Sequence, residues 1–446
     1  MESVSTMPEV VKDPKKAPYL AALDRFEDGN APAWVKAIRE QGAARFSQLD
    51  LPHSKQEEWR FTNIAPILGT EFASITQPVD HGLTAADIEP FLYSDRSLVA
   101  VFVDGFFAPE LSRLDPMPAG LRIGSLAEVL AEDGLAIKPH LDQYASQIGN
   151  AFSALNSALL RDGAVVEINK GTLCAGPIHL VFVTTKRETP SARYPRVLVL
   201  AGEASEATII ESYVNLADDS TYLSDMVGEY ILDPAANLKL YKILEEGANG
   251  FHLATRRIHQ DRDSHFKSYI FNLGGRIARN DLSVLLDGEG AGCSLHGLYL
   301  TEANQLVDNH QFIDHAKPHC TSWIGYKGVL NDKSKAVYTG KILVRRDSQK
   351  TDSNQLNQNV LLSDDAQVDT KPQLEIYADD VKCTHGATIG QFPEQLIHYF
   401  RTRGIAADMA VAMLTYGFAD EVVREVTVPP LQEHLESYVF DKYSPK

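Results

Sequence analysis

Short apolar runs recur between residues 155 and 385, and several of them alternate apolar and polar side chains with a period of two. Clusters of Gly, Asn, Asp or Ser separate most of these runs, and no helical pattern interrupts them. The clearest runs are Ala164–Ile168, Ile178–Val183, Val197–Leu200, Ala207–Tyr213, Asn237–Leu244, Leu282–Leu286, Ala336–Val344 and Gln373–Ala378. Strands at such short, fairly even spacing indicate a sandwich, a barrel or a β-solenoid.

The length of this strand-rich segment favours the solenoid, although no exact repeat is found. A single sandwich does not normally absorb so many residues, and tight hairpin signals such as Asn249-Gly250 are few. We therefore predict a mainly β protein built on a β-helix, with two packed sandwiches as the second choice. Because the ends of a solenoid leave backbone groups unpaired, helices or another chain must cover them.

Helical spacing of apolar residues marks both ends of the chain. Within the first zone, Trp59 in the segment Glu57–Thr62 is expected to be a core or domain-contact aromatic. Near the C-terminus the pattern predicts helices, with breaks at Gly404, Gly417 and Pro429. The predicted domains are an N-terminal helical domain (1–95), a connecting α/β segment (96–154), the β-helix core (155–390) and a C-terminal helical domain (391–446).

The amino-acid composition excludes several classes of function. The 446 residues include 42 basic and 60 acidic side chains, and the net charge of −18 opposes binding to phosphate backbones or to anionic membranes. No apolar stretch approaches the length of a membrane span, and no targeting signal is visible. The four cysteines, at positions 174, 293, 320 and 383, show no CxxC spacing. We therefore expect a cytoplasmic protein without structural disulfides.

The common catalytic motifs are missing from the sequence. The chain has no GxxxxGK(S/T) phosphate loop, no GxGxxG before a helix, no GxSxG and no HExxH. If ATP is used, we expect another chain to bind it.

Two groups of residues could ligate a metal. Seven histidines and a cysteine lie between residues 252 and 320, although buried histidines satisfied by neighbouring groups are the favoured interpretation. They are His252, His259, His265, His296, His310, His315, His319 and Cys320. The second group is Cys383 and His385, at the end of a strand-like segment, Leu374–Cys383. At i and i+2 on a strand they would share a face and form half of a metal site; the alternative is a buried cysteine and a helix-capping histidine.

Polar residues are dense just before this pair. In a solenoid they fit outward faces and stacked amide ladders, which is the favoured interpretation. A polysaccharide-cleaving β-helix enzyme is the alternative, with carboxylates at Asp347, Asp352, Asp364, Asp365 and Asp369 and bases at Arg345, Arg346, Lys350 and Lys371.

One long segment of the sequence resembles a known protein family. The segment Arg346–Gln391 closely resembles the core of the SufB/SufD family of iron–sulfur cluster assembly proteins. Four further segments agree with it: Glu57–Thr62, Val101–Ser112, Gly275–Leu300 and Val307–Ser322, together with Phe400–Ile405 and the final helices. The form Cys-Thr-His-Gly at 383–386 and the EEWRFT motif at 57–62 favour the SufD branch.

The resemblance implies a right-handed parallel β-helix between helical N- and C-terminal regions. It implies a non-catalytic scaffold that forms a heterodimer with a SufB-like paralogue and binds a SufC-like ABC ATPase, without binding nucleotide itself. His385, with Cys383 nearby, would contribute to a transient cluster or iron shared with the partner at their interface. The ATPase would dock on the C-terminal helices, through Arg403, Gly404, Ile405, Met409, Met413 and Phe418, although the pattern of the last four alone favours core packing. The alternatives are a cytoplasmic β-helix carbohydrate-active enzyme and a SufB-like homodimeric scaffold.

Overall fold

In the computed structural model of the protein, the predicted β-solenoid is present and has about eight turns. The structure describes residues 13–445, apart from residues 28, 30, 95, 133, 145–149 and 218. The start of the predicted N-terminal domain, residues 1–12, lies outside the described residues. Helices lie at both ends of the chain. They are α1 (Ala17–Asp24), α2 (Ala33–Gln48), α3 (Ala65–Leu68), α4 (Ala85–Ile88), α5 (Leu126–Glu132), α6 (Ala151–Ala158), α7 (Glu394–Arg401), α8 (Ala407–Val423) and α9 (Pro429–Tyr443).

The strands run from short elements near the N-terminus to regular strands of eight to eleven residues in the solenoid. They are β1 (Ala73–Ser74), β2 (Leu98–Val103), β3 (Phe106–Phe107), β4 (Leu121–Ser125), β5 (Gly163–Ile168), β6 (Ile178–Thr185), β7 (Ser191–Arg193), β8 (Arg196–Ala201), β9 (Glu206–Leu216), β10 (Tyr222–Leu232), β11 (Asn237–Glu245), β12 (Gly250–Gln260), β13 (His265–Asn272), β14 (Ile277–Leu286), β15 (Gly292–Thr301), β16 (Leu306–His315), β17 (Thr321–Leu330), β18 (Lys335–Val344), β19 (Asp352–Leu361), β20 (Gln367–Ile376) and β21 (Lys382–Gly390).

From β8 onward, successive strands alternate between two sheets, so that each pair of strands forms one rung of the solenoid. Sheet A has the order β20-β18-β16-β14-β12-β10-β8-β5-β4, and sheet B the order β21-β19-β17-β15-β13-β11-β9-β6-β2-β3. From β5 onward, neighbours within each sheet are parallel. This pairing excludes two sandwiches, and the apolar inner faces of the two sheets form the main core.

The two ends of the solenoid differ. At the first end the chain turns back on itself, because the short strands β3 and β4 pair antiparallel with β2 and β5. At the other end β20 and β21 are full-length parallel strands, each paired on one side only among the described strands. Only the second end therefore presents long open strand edges.

The corners from sheet A to sheet B repeat one backbone conformation. From β8 to β19, each such corner has a residue with positive φ that donates its N–H to a carbonyl of the next rung, and the residue after it is buried. The positive-φ positions are Ala204, Ala235, Asp263, Gly290, His319 and Lys350, and the buried positions that follow are Ser205, Ala236, Ser264, Ala291, Cys320 and Thr351. His319 and Cys320 are thus corner residues of the solenoid.

The polar run in β19 divides between the two faces of the strand. Gln355, Asn357 and Asn359 are buried and point inward, whereas Asn354 and Gln358 lie on the outer face. The inner amides bond to each other and to tyrosine, with Asn359 Nδ2 2.7 Å from Asn357 Oδ1 and Asn357 Nδ2 3.0 Å from Tyr299 Oη. The expectation that this run forms outward faces is therefore wrong for its buried half, because the hydrogen bonds make polar inner positions tolerable.

The Glu57–Thr62 segment attaches the N-terminal region to the outer face of sheet A. The Arg279 guanidinium lies 3.8 Å from the centre of the Trp59 ring and donates to the Glu58 carbonyl at 3.0 Å. Asp308 accepts hydrogen bonds from both Arg279 and Thr62. Trp59, Thr62, Arg279 and Asp308 are all buried at this contact, which confirms Trp59 as a domain-contact aromatic.

The C-terminal helices pack on the outer face of sheet B. Lys327 Nζ lies 2.5 Å from a Glu421 carboxylate oxygen, Tyr269 Oη donates to Glu425 at 2.8 Å, and Lys442 pairs with Glu302 at 2.7 Å. The predicted break at Gly417 is wrong, since α8 continues through it to Val423. In the part of the chain that the structure describes, no helix is long and apolar enough to cross a membrane.

We predict that Asp308→Asn destabilises the fold, because it leaves the buried Arg279 without its counter-charge. The free energy of unfolding should fall by about 3 kcal/mol at pH 7, measured by urea titration. Burial opposes ionisation of Asp308, but Arg279, His310 and Thr62 outweigh it and lower its pKa to about 2. Since this folded-state pKa lies below the unfolded value of about 3.9, the stabilisation is complete above pH ~4 and is lost as the pH falls through 2.

The difference between Asp308→Asn and the native chain should therefore shrink between pH 4 and pH 2. The exposed Asp365, changed to Asn, provides the control and should leave the unfolding free energy unchanged. Equal stability of the Asp308 and Asp365 variants at pH 7 would contradict the assigned role of the Arg279–Asp308 pair.

Candidate functional site

The open end of the solenoid is formed by the last rung, β20 and β21. Apolar side chains there are exposed to solvent: Ile376, Tyr377 and Ile389. Pro372 lies in β20 and cannot donate a backbone hydrogen bond, whereas β21 contains no proline. The edge of sheet B is therefore the better template for pairing with a further strand.

Cys383 and His385 both lie on β21, facing inward at this open end. Cys383 pairs in register with Ser353 and His385 with Gln355, and both of those partners are buried on the inner face of β19. Cys383 is half-buried and His385 is exposed. The predicted strand Leu374–Cys383 is wrong in its bounds, because a turn at residues 377–381 separates β20 from β21. The two side chains share a face, and His385 does not cap a helix.

As metal ligands, Cys383 and His385 would form an incomplete set. Burial and then the carboxylate of Asp352 raise the pKa of the Cys383 thiol, so the thiol is protonated at neutral pH in the isolated chain. A bound metal would displace that proton, since the thiolate is the ligand. Among the described residues no group of three or more His, Cys, Asp or Glu side chains is placed to hold a metal ion. To hold a metal ion, the pair would need further ligands.

The histidine-rich stretch is spread over several rungs and forms no common site. His252 is buried between Glu246 and Lys242, each at 2.8 Å, and His315 bonds to the Ser322 hydroxyl at 2.9 Å. Burial lowers the pKa of both imidazoles to about 4, so both are neutral at pH 7. His296 stacks on the Tyr269 ring. The interpretation as a buried, satisfied histidine is confirmed for His252, whereas His315 Nδ1 is buried without a hydrogen-bond partner among the described residues.

The remaining members of that stretch have separate surroundings. His310 lies 3.0 Å from Asp308, and His259 lies 3.3 Å from Asp287. His265 is exposed at the start of β13, His319 is a corner residue, and Cys320 donates from Sγ to the Gly288 carbonyl at 3.3 Å.

The charged residues between 345 and 371 are largely engaged in surface contacts. Arg345 holds Asp314 with two hydrogen bonds of 2.9 and 2.7 Å, and Lys335 pairs with Asp369 at 2.8 Å. A cleft of about 470 Å³ lies on the outer face of sheet A, but of these residues it is lined only by Lys371. No pair of the five candidate carboxylates lines it, and the structural interpretation of this stretch is the better one.

The C-terminal stripe divides into two faces. Met409 and Met413 are exposed and line an apolar groove of about 380 Å³ between α8 and α9, together with Phe440. Phe418 instead packs toward the solenoid, with Lys327 Nζ 4.4 Å from its ring centre. Five residues after Met413 on a helix, Phe418 faces a different direction, so core packing is the better interpretation for Phe418 alone.

The three other residues of the predicted docking set precede α8. The Arg403 guanidinium stacks on the Tyr399 ring at 4.0 Å, Gly404 adopts a φ of +82° in the turn after α7, and Ile405 is half-buried. The predicted stripe does not include Phe440, which lies on α9 and also lines the groove. In the sequence, this position could have been noticed as an aromatic residue among charged neighbours near the end of the chain.

Comparison with known proteins gives a consistent family. A model described as the SufBD core domain of SUF system FeS cluster assembly matches residues 182–418, and one for the SufBD protein N-terminal region matches residues 19–180. An iron–sulfur cluster assembly SufBD family protein of Synechocystis is 32% identical over 90% of each chain. The iron–sulfur cluster assembly protein SufD of Escherichia coli is 31% identical over 89% of this chain and 90% of its own length. SufD of Bacillus subtilis is 24% identical over 93% of this chain and 95% of its own length.

We predict that a thiol reagent distinguishes two pairs of cysteines in the native chain. Cys174 and Cys383 are half-buried and should react, whereas Cys293 and Cys320 are buried and should react only after unfolding. Burial raises the pKa of both protected thiols, that of Cys320 to about 11. Iodoacetamide labelling at pH 8, followed by peptide mass spectrometry, provides the measurement. Modification of Cys320 at the rate of Cys383 would show that the corner is not built as described.

Proposed function

The chain belongs to the SufBD family of SUF-system iron–sulfur cluster assembly proteins, and we propose that it acts there as a non-catalytic scaffold subunit. Its relatives named SufD support the SufD branch, and its role is that of a subunit in SUF iron–sulfur cluster assembly. The observation that carries the scaffold proposal is the position of Cys383 and His385. Both face inward on the last strand of a solenoid whose end is open.

The partner at this end is, in our proposal, a SufB-like paralogue. An unpaired strand edge is satisfied best by another strand, and a second solenoid would continue the rungs. The exposed side chains of Ile376, Tyr377 and Ile389 would be buried by such a contact. The partner would also supply the ligands that this chain lacks.

The substrate at the interface is iron or a transient iron–sulfur cluster. A thiolate and an imidazole suit iron, and two ligands from each side would complete a four-coordinate set. His385 is the better placed of the two to receive iron, because it is exposed whereas Cys383 is half-buried. Sharing the ligands between chains makes cluster formation depend on the assembled interface.

A SufC-like ATPase is the proposed occupant of the groove between α8 and α9. The groove is lined by Met409, Met413 and Phe440, and acidic Glu436 and Asp441 lie at its edge. An apolar surface with basic residues beside it would complement this shape and charge. Because the sequence contains no phosphate-binding loop, ATP hydrolysis is assigned to that partner and not to this chain.

We predict that His385→Ala and Cys383→Ala each reduce cluster production in cells that depend on this system, toward the level of cells lacking the chain. The reason is that each change removes one proposed iron ligand, and no other ligand is available to replace it. His81→Ala, whose ring contacts Glu110 near the first end, and Cys174→Ala are matched controls at sites away from the open end and should support production at the native level. The measurement is the activity of a reporter iron–sulfur enzyme.

Anaerobic affinity purification of the tagged protein from its own host should recover the paralogue and the ATPase together. Native cluster production by both the His385 and Cys383 variants would contradict the site. Repeated recovery of the chain as a dimer of itself, without a paralogue, would favour a homodimeric scaffold instead.

We predict that Met413→Glu releases the ATPase but retains the paralogue. A carboxylate in the centre of an apolar contact should weaken binding by about 2 kcal/mol, roughly 30-fold in Kd. Leu173→Glu introduces the same charge at an exposed apolar position far from the groove and should change neither partner. Quantitative mass spectrometry of the purified complexes provides the test, and unchanged ATPase recovery with Met413→Glu would place the docking surface elsewhere.

A further inference from the structure

Gln355 lies directly beneath His385 in the inner column of sheet B. The column runs through Leu295, Ile324, Gln355 and His385, which pair in register on successive strands. Gln355 is almost completely buried, whereas His385 occupies the last, open position. Gln355 is therefore the first side chain of this column below the candidate iron ligand, and it is polar, whereas Ile324 and Leu295 beneath it are apolar.

Two contacts across the solenoid fix the orientation of the Gln355 amide. Its Nε2 donates to Tyr338 Oη at 3.0 Å and to the Gly340 carbonyl at 3.2 Å, both on β18 in the opposite sheet. Since a carbonyl oxygen can only accept, the nitrogen of the amide must face Gly340. A Cβ at position 340 would lie 1.9 Å from that nitrogen, so glycine is required for this approach.

The other end of the amide is left without a partner. Gln355 Oε1 is buried and accepts no hydrogen bond from any described residue. An unpaired buried acceptor is unfavourable and rare in folded proteins. On one side of Gln355 the column offers Ile324, which has no polar side-chain atom. On the other side it offers His385, whose ring can donate an N–H.

We propose that Gln355 is a positioning residue for His385. In the assembled interface one imidazole N–H donates to Gln355 Oε1, which directs the lone pair of the other ring nitrogen toward iron. An acceptor behind a ligating histidine selects the tautomer and the ring orientation in this way. This inference rests on the proposed function, since it assumes that His385 is an iron ligand, and it adds the buried residue that orients it.

The test is the apparent affinity for Fe²⁺, measured anaerobically by iron titration of the complex purified with its natural partners. Gln355→Leu should weaken the affinity about tenfold, the range typical of a lost partner behind a metal ligand. Gln355→Glu should restore most of it, because a glutamic acid kept protonated by burial still offers a donor to Gly340 and an acceptor to His385. Gln358→Leu, on the outer face of the same strand, is the matched control and should bind as the native complex does.

The double variant Gln355→Leu/His385→Ala separates a positioning role from general damage. If Gln355 acts through His385, the double variant should bind Fe²⁺ no more weakly than His385→Ala alone. Independent losses that multiply in the double variant would overturn the inference. Unchanged affinity in His385→Ala would instead overturn the proposed function, so the two failures are distinguishable.

The ring nitrogens of ¹⁵N-labelled histidine provide a second measurement on the complex, which holds even if Gln355→Leu fails to fold. The His385 signals, assigned by their loss in His385→Ala, should show a single neutral tautomer in the native complex and in Gln355→Glu. A mixture of both tautomers in the native complex would overturn the inference.

Discussion

The parallel strand imposes one requirement on this protein: each rung must find its backbone hydrogen-bond partners on the rungs above and below it. Inside the solenoid the requirement is met by the chain itself, from β5 to β19. At the last rung the chain ends its stack while β20 and β21 still have one free edge each. The exposed apolar residues and the inward-facing Cys383 and His385 all occur at that edge.

Much of the fold could be predicted because period-two alternation and short spacing survive in the sequence. The rungs themselves could not be placed, since residues 265, 292, 321, 352 and 382 stack in one column with steps of 27 to 31 residues. A variable step hides the repeat from inspection. The prediction for the polar run of β19 is wrong for one face of the strand. When both faces carry amides, the alternation of residues does not show which face points inward.

The candidate site was predictable to a similar extent. The sequence placed Cys383 and His385 on one face of a strand, and their chemistry followed from residue type. It could not show that this face points inward at an open end, since that depends on the number of rungs. Gln355 could not be found either, because its importance comes from Gly340 and Tyr338 in the opposite sheet. Likewise, Met413 and Phe418 belong to one apolar stripe in the sequence. Only the fold shows that Met413 lines the groove and that Phe418 packs toward the solenoid.

The self-pairing of the first end limits what this molecule can build. A solenoid with two open ends would join head to tail and grow into a filament, as heterologous contacts do when rotation does not close them. Here the short antiparallel strands β3 and β4 leave only short edges at the first end, so among the described strands the long edges available for joining lie at the second end. Two such chains that meet open end to open end use up both edges, and assembly stops at a finite pair.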